Sequence, residues 1–213
     1  ALLVEAFAQR GHTARWVAWD DPEVDWTAAD AVAVRSTWDY DRRRPEFLAW
    51  ARRIDAEGAH LLNGVRAFEW NTDKAYLLEL AATGVPVVPT IAVEGEEALP
   101  AAVAEYGRAV VKPRVGAGGR GLVLFDLEDG GPADLDESQL GMGPWVVQPL
   151  LESVRTEGEW SVYVLGGDVV SAARKVPADG DIRVHEAYGG HTAPAEVTPE
   201  HGVLATEAVQ AAE

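Results

Sequence analysis

Val110-Val111-Lys112-Pro113-Arg114-Val115-Gly116-Ala117-Gly118-Gly119-Arg120-Gly121-Leu122-Val123-Leu124-Phe125 is the stretch on which the fold turns. It reads as an apolar strand ending in a lysine, a glycine-rich loop, and a second apolar strand. Glycines in such a loop expose backbone N–H groups and let phosphate oxygens come close to them. Lys112 adds a point charge for the same oxygens. Residues 116–121 match the letter of G-x-G-x-x-G, but that fingerprint requires a helix after its last glycine, and residues 122–125 are β-prone. A Walker loop is excluded because no Gly-Lys-Ser/Thr closes it. The kinase version fits as far as Val123, yet the chain has no V-A-I-K-like strand, H-R-D or D-F-G. A phosphate-binding hairpin and an ordinary glycine-rich β-turn are the two readings that remain for the loop alone.

Three further features stand in a fixed order around it. Upstream, Asn71-Thr72-Asp73-Lys74-Ala75-Tyr76 places Asn71 as an N-cap and Lys74 in a first helical turn, where the helix dipole gives a cation nothing. A lysine there is either plain surface or held for an anion. Downstream, Trp145-Val146-Val147-Gln148-Pro149-Leu150-Leu151 is a strand running into a proline, which is expected to end ladder pairing and free the backbone of residues 148–151 for a ligand such as an adenine edge. Residues 157–165 and 168–175 then form a second hairpin around Gly166-Gly167, with Arg174 and Lys175 at its far end.

This order resembles the ATP-grasp superfamily, whose members hold ATP between two α+β subdomains and mostly activate a carboxylate for attack by an amine. The resemblance covers about residues 71–175. It implies that Lys74 and Lys112 contact the α- and β-phosphates, and that Gly116, Gly118, Gly119 and Gly121 close over the phosphates. Gln148, Pro149, Leu150 and Leu151 would take the adenine, Glu159 the ribose hydroxyls, and Arg174 would face the transferring phosphoryl group, with Lys112 as its catalytic companion. A narrower likeness, carried by residues 34–40, 69–74 and 84–90, is to the glutathione-synthetase-like branch that contains the D-cycloserine biosynthetic ligase. It implies an ADP-forming carbon–nitrogen or cyclo-ligase with an amino-acid-like or ureido-acid substrate. The implied cofactors are ATP and Mg²⁺, whose ligands in this superfamily are carboxylates and an asparagine on strands expected after the end of this chain, so no metal ligand is assigned.

Composition sets the bounds. The chain has 213 residues, 47% of them hydrophobic, which suffices for one large or two small cores. Without a cysteine there is no disulfide framework, thiolate metal site or cysteine nucleophile. No apolar run reaches the ~20 residues of a membrane span, and no signal peptide opens the sequence. A net charge of −17 opposes nucleic acid and anionic membranes as partners, while leaving room for a local basic groove. The five histidines lack metal-ligand spacing, and the eight tryptophans, with no basic stripe among them, read as core. A cytoplasmic protein acting on a small molecule is expected; whether it forms a homo-oligomer stays open.

The fold class expected is α/β followed by α+β: a pre-ATP-grasp parallel sheet with helices over residues 1–70, a subdomain bearing the glycine hairpin over 71–144, and a second subdomain over 145–213, with pieces missing at both ends. In the first region, strands at 15–19, 31–35 and 60–62 alternate with helical runs, the clearest being residues 45–57 with Phe47, Leu48, Ala51 and Ile54 on one face. Ligands of such sheets bind beyond the carboxyl ends of strands, which makes Arg35-Ser36-Thr37-Trp38-Asp39-Tyr40 the candidate acceptor loop. In the alternative reading, Arg35 pairs with Asp39 while Trp38 and Tyr40 pack under the helix. Lys175 and Arg183 are further candidates for the substrate side, Arg183 lying in a loop with Tyr188, Gly189, Gly190 and His191. A non-catalytic nucleotide-binding module and an ATP-dependent phosphotransferase are the rival functions.

Overall fold

The computed structural model describes residues 2–127 and 140–212. It divides into two compact units, Ala1–Glu69 and Trp70–Glu213.

The first unit is organised by one amphipathic helix. Helix α1 (Leu2–Ala8) carries no buried residue. Helix α2 (Arg44–Ala56) starts with Pro45 in its first turn, where a missing N–H costs nothing, and buries Phe47, Leu48, Trp50, Ala51 and Ile54 along one face. Trp19, Trp26, Val32 and Leu61 pack into the same cluster, with Trp19 edge-on to Phe47 at 5.7 Å and Trp26 edge-on to Trp50 at 5.1 Å. These tryptophans are core residues. The parallel sheet expected here is reduced to one parallel bridge between Val32 and Leu61, with Val32 N–H donating to His60 and Leu62 N–H to Val32. Residues 15–19 form no strand. Left-handed turns at Ser36 and Asn63 cut both bridge segments short, and their apolar side chains are satisfied by packing against α2 rather than by a ladder. Helix α3 (Gly64–Asn71) ends the unit and runs into the next.

The second unit contains two antiparallel sheets. Helix α4 (Tyr76–Ala82) leads to β1 (Ile91–Val93) and α5 (Leu99–Tyr106). Strands β2 (Arg108–Pro113), β3 (Val123–Asp126) and β4 (Trp145–Pro149) complete a sheet of order β1-β4-β2-β3. After the short α6 (Ser153–Thr156), β5 (Glu159–Leu165), β6 (Asp168–Val176) and β7 (His191–Ala195) form the second sheet in sequence order, and α7 (Pro199–Ala212) packs on β5 and β6. Strand β4 pairs with both β1 and β2, so by hydrogen bonding it belongs to the first sheet.

Period-two alternation fixes the faces of β2. Ala109, Val111 and Pro113 point into a core with Leu99, Val103, Phe125 and Val147, whereas Val110 and Lys112 point the other way. Fully buried Leu99 and Val111 each contribute about 1.5–3 kcal/mol relative to exposure. Among the described residues no helix is long and apolar enough to cross a membrane.

Candidate nucleotide-binding site

The β2–β3 pair is the expected hairpin. Arg108 stands opposite Asp126 and Val111 opposite Val123, so the intervening residues form its loop. Gly118, Gly119 and Gly121 have φ of +64°, +71° and +68°, the left-handed region that an L side chain enters only with strain. The backbone, not the side chains, shapes this loop.

Lys112 sits at its root. Burial lowers the ammonium pKa, while the charge of Glu159 pulls it back up. Among the described residues its Nζ makes no hydrogen bond. Lys74 stands elsewhere than expected: Asn71 ends α3 instead of capping the next helix, and Lys74 occupies the turn before α4. The Asp73 carboxylate, which accepts from Ala75 N–H at 3.0 Å, is what shapes this turn. From there Lys74 Nζ donates to the carbonyls of Pro113, Arg114 and Gly116 at 3.1, 3.2 and 2.9 Å. It gathers the carbonyls at the loop root, leaving the glycine N–H groups to face elsewhere.

Arg114 is a part of the site that the sequence reading passed over. Its Nε and Nη2 grip Asp73 at 2.9 and 2.8 Å, its Nη1 meets Glu94, and its carbonyl accepts from Lys74 N–H. Both Arg114 and Asp73 are mostly shielded from water, so the two-pronged pair is stronger than a surface ion pair. The signal was the Asp73-Lys74 dipeptide facing an arginine two residues after Lys112. Arg114→Ala is expected to cost about 2 kcal/mol of unfolding free energy, measured by urea titration, because it removes both guanidinium hydrogen bonds from a carboxylate that is mostly shielded from water.

The strand leading away from the site differs from its expectation. Gln148 pairs with Val110 and Pro149 with Ala109, and Leu150 N–H donates to Arg108. Pro149 therefore does not end the pairing, because it lacks only a donor and its neighbours still have theirs. The buried Gln148 amide donates to Thr90 Oγ1 at 2.8 Å, and Leu151 is the first residue past the ladder. In the second sheet, Glu159 lies opposite Lys175 and the two form a salt bridge at 2.9 Å. Arg174 Nε donates to the Glu157 carbonyl.

Arg183 lies in the β6–β7 connection. It is bound two-pronged by Asp181 and stacks over the Tyr188 ring at 3.7 Å. The glycine loop reaches this connection: a Cβ on Gly119 would lie 3.1 Å from His185 Nδ1 and 3.2 Å from Tyr188 Cε2. Hydrogen bonding to Arg183 holds the Asp181 pKa down at about 2, against 3.8 ordinarily. The pair's stabilisation is therefore complete above pH 3.8 and lost as pH falls through about 2, the unfolded chain binding the proton first. A carboxyl-carbon NMR titration should find Asp181 still ionised at pH 3, and Arg183→Ala should raise its pKa, with the Ile182 and residue-183 N–H groups still holding part of the depression.

In the first unit, Ser36 has φ +56°, Trp38 is 67% exposed, and Tyr40 packs against Phe47 at 6.0 Å. Asp39 accepts from Trp19 Nε1 and pairs with Arg43, not with Arg35. The aromatic half of the packing alternative therefore holds for Tyr40 and not for Trp38. Among the described residues no group of three or more His, Asp or Glu could hold a metal ion.

Two family models match the sequence: the N-terminal domain of the D-cycloserine synthetase DcsG over residues 1–63, and the ATP-grasp domain of prokaryotic glutathione synthetase over residues 74–211. The cycloserine biosynthesis protein DcsG of Streptomyces lavendulae is 35% identical over 195 residues, which is 85% of this chain and 64% of that protein. The glutathione synthetase of Synechocystis sp. is 29% identical over 140 residues, 65% of this chain and 42% of that protein. The chain thus spans less than two thirds of these relatives' length. A crystal structure of D-cycloserine synthetase DcsG superposes with a TM-score of 0.82 at 30% identity, covering 99% of this chain and 74% of that one. The ATP-grasp ligase PsnB, solved with a precursor variant, Mg and ADP, shares the fold at a TM-score of 0.63 and 21% identity, over 99% of this chain and 77% of that one.

Proposed function

This chain belongs to the family of the prokaryotic glutathione synthetase ATP-grasp domain, and from that premise we propose that it is part of an ADP-forming ligase joining a small carboxylic or ureido acid to an amine. The observation that carries the reading is Lys112: a largely buried ammonium with no hydrogen-bonded partner among the described residues, at the root of a loop with three left-handed glycines. A shielded cation of this kind calls for an anion.

ATP is consumed as a substrate in this scheme. Lys112 and the N–H groups of the glycine loop hold its phosphates, and Lys74 fixes the loop root while its charge lies beside them. Glu159 takes the ribose hydroxyls, and the adenine edge falls to the backbone where the ladder ends, at the Leu150 carbonyl and Leu151, since Leu150 N–H is taken by the Arg108 carbonyl. The acceptor's carboxylate oxygen attacks the γ-phosphorus, the bond to the ADP oxygen breaks, and the amine then displaces phosphate from the activated acid. Positioning and charge neutralisation supply the catalysis, and no side-chain nucleophile is required. Arg183, stacked on Tyr188 near the glycine loop and paired with Asp181, joins Arg174 as a cation proposed to face the phosphoryl group. No group of three or more acidic or histidine side chains among the described residues would hold Mg²⁺. Residues 35–40, with Trp38 open to solvent, are the proposed acceptor loop, and the likeness to DcsG favours an amino-acid-like or ureido acid. A cytoplasmic location, where ATP is available, is part of this proposal.

The test is ADP release from Mg-ATP in a screen of amino acids, ureido acids and amines, with phosphorus NMR of the products. ADP and inorganic phosphate formed only with a productive acceptor support the ligase. Nucleotide binding with no turnover in any combination would favour a binding module, and a stable phosphorylated product a phosphotransferase.

A further inference from the structure

The connection between β6 and β7 contains a polar atom that the proposed chemistry has not used. His185 Nδ1 is shut off from solvent and has no hydrogen-bond partner among the described residues. Its backbone is tied down. Val184 before it is buried, and the His185 carbonyl accepts from Tyr188 N–H at 2.9 Å and Gly190 N–H at 3.1 Å, closing the turn that follows. Tyr188 lies edge-on to the imidazole at 6.4 Å and carries Arg183 on its face. The Nδ1 edge faces the glycine loop, since a methyl group on Gly119 would come within 3.1 Å of it. A buried polar atom without a partner is unfavourable, and native sites usually supply one by binding something. The glycine-loop backbone lies on one side and the Arg183 and Lys175 cations on the other, each of these paired with a carboxylate, Asp181 and Glu159. A phosphate oxygen is an acceptor that such a loop and such cations accommodate.

We propose that His185 is a nucleotide-binding residue whose Nδ1–H donates to a phosphate oxygen held beneath the glycine loop. This rests on the ATP reading above and adds a contact to it. Burial holds the imidazole below the ordinary histidine range; Glu159 opposes this, and Lys175 and Arg183 reinforce it. The free ring is therefore neutral at pH 7, and it donates from one nitrogen without adding a charge to the site. Binding a phosphate oxygen raises its pKa, because the protonated ring then gains a partner.

The experiment uses full-length protein with ¹⁵N-labelled histidine and Mg-AMPPNP as the probe. The imidazole signals that disappear in the His185→Asn variant identify the ring that matters. The expected result is a shift of the His185 Nδ1 resonance and a raised apparent pKa on adding Mg-AMPPNP. His185→Leu should weaken binding about tenfold, the value of one hydrogen bond to a charged group. His185→Asn, which keeps an N–H near the Nδ1 position, should recover most of that loss, and His185→Gln should not. If wild-type protein binds Mg-AMPPNP with no change at His185, the proposal is overturned and the nucleotide reading survives. If wild-type protein binds no Mg-AMPPNP, both fall. Should the leucine variant fail to fold, the wild-type spectrum alone decides.

Discussion

Lys112→Met is expected to abolish detectable nucleotide binding while making the unliganded protein harder to unfold. Strand β2 turns this side chain away from the Val111 core, and Val146 lies opposite it on β4. The ammonium is shielded there, with the Glu159 charge as its chief counterweight. Methionine keeps the volume and removes the charge, and replacing a poorly compensated buried cation in this way typically gains about 1 kcal/mol. The same change removes charge-assisted hydrogen bonds to phosphate at about 1.5–3 kcal/mol each, enough with two such bonds for at least a hundredfold loss of affinity. The pH dependence separates this from a packing effect. Because burial depresses the folded-state pKa below 10.5, the unfolded chain binds the proton more tightly. Stability therefore rises with pH between the lowered value and 10.5, and falls back as pH drops through that window. Urea titrations at several alkaline pH values should show the rise in wild type and its loss in Lys112→Met. Unchanged nucleotide affinity in the variant would remove Lys112 from the site.

The second large effect is expected at Gly121. With φ at +68° any side chain is strained, and an added Cβ would lie 2.6 Å from Gly141 Cα, 2.7 Å from Gly141 N and 3.1 Å from Pro113 Cγ. The first two are backbone atoms and cannot rotate away. Gly141 is itself pinned, its carbonyl accepting from Trp145 Nε1 at 2.7 Å. Gly121→Ala should destabilise the protein by about 3 kcal/mol, combining left-handed strain with a clash, and should displace the loop from its phosphate-facing shape. Gly166→Ala is the control. It also has positive φ, at +60°, but open space around its Cα, and should cost about 1 kcal/mol with nucleotide binding intact. Equal losses in the two variants, measured by urea unfolding, would show that the packing of Gly121 on Gly141 contributes nothing.

What could be read from the sequence was what is local. The glycine hairpin follows from Leu122 and its β-prone successors, and α2 from the spacing of Phe47, Leu48, Ala51 and Ile54; both are present. The Lys74 turn was misread because Asn71 and Asp73 are both good cap residues, and only the tertiary grip of Arg114 on Asp73 decides between them. The backbone beyond Gln148 was expected to be free because proline was credited with ending a ladder that in fact continues through Leu150 N–H. The first-unit sheet shrank to one bridge because alternation of strands and helices says nothing about whether neighbours stay in register past Ser36 and Asn63. His185 and Arg114 went unnoticed because their significance lies in contacts with residues distant in the chain.

The central claim is that the hairpin rooted at Lys112 grips the phosphates of ATP, and calorimetric titration of the full-length protein tests it most directly. Wild-type protein should bind Mg-ATP and Mg-AMPPNP but not NAD, and Lys112→Met should bind none of them. Absence of any nucleotide binding to folded wild-type protein would contradict the account, as would equal binding by the variant.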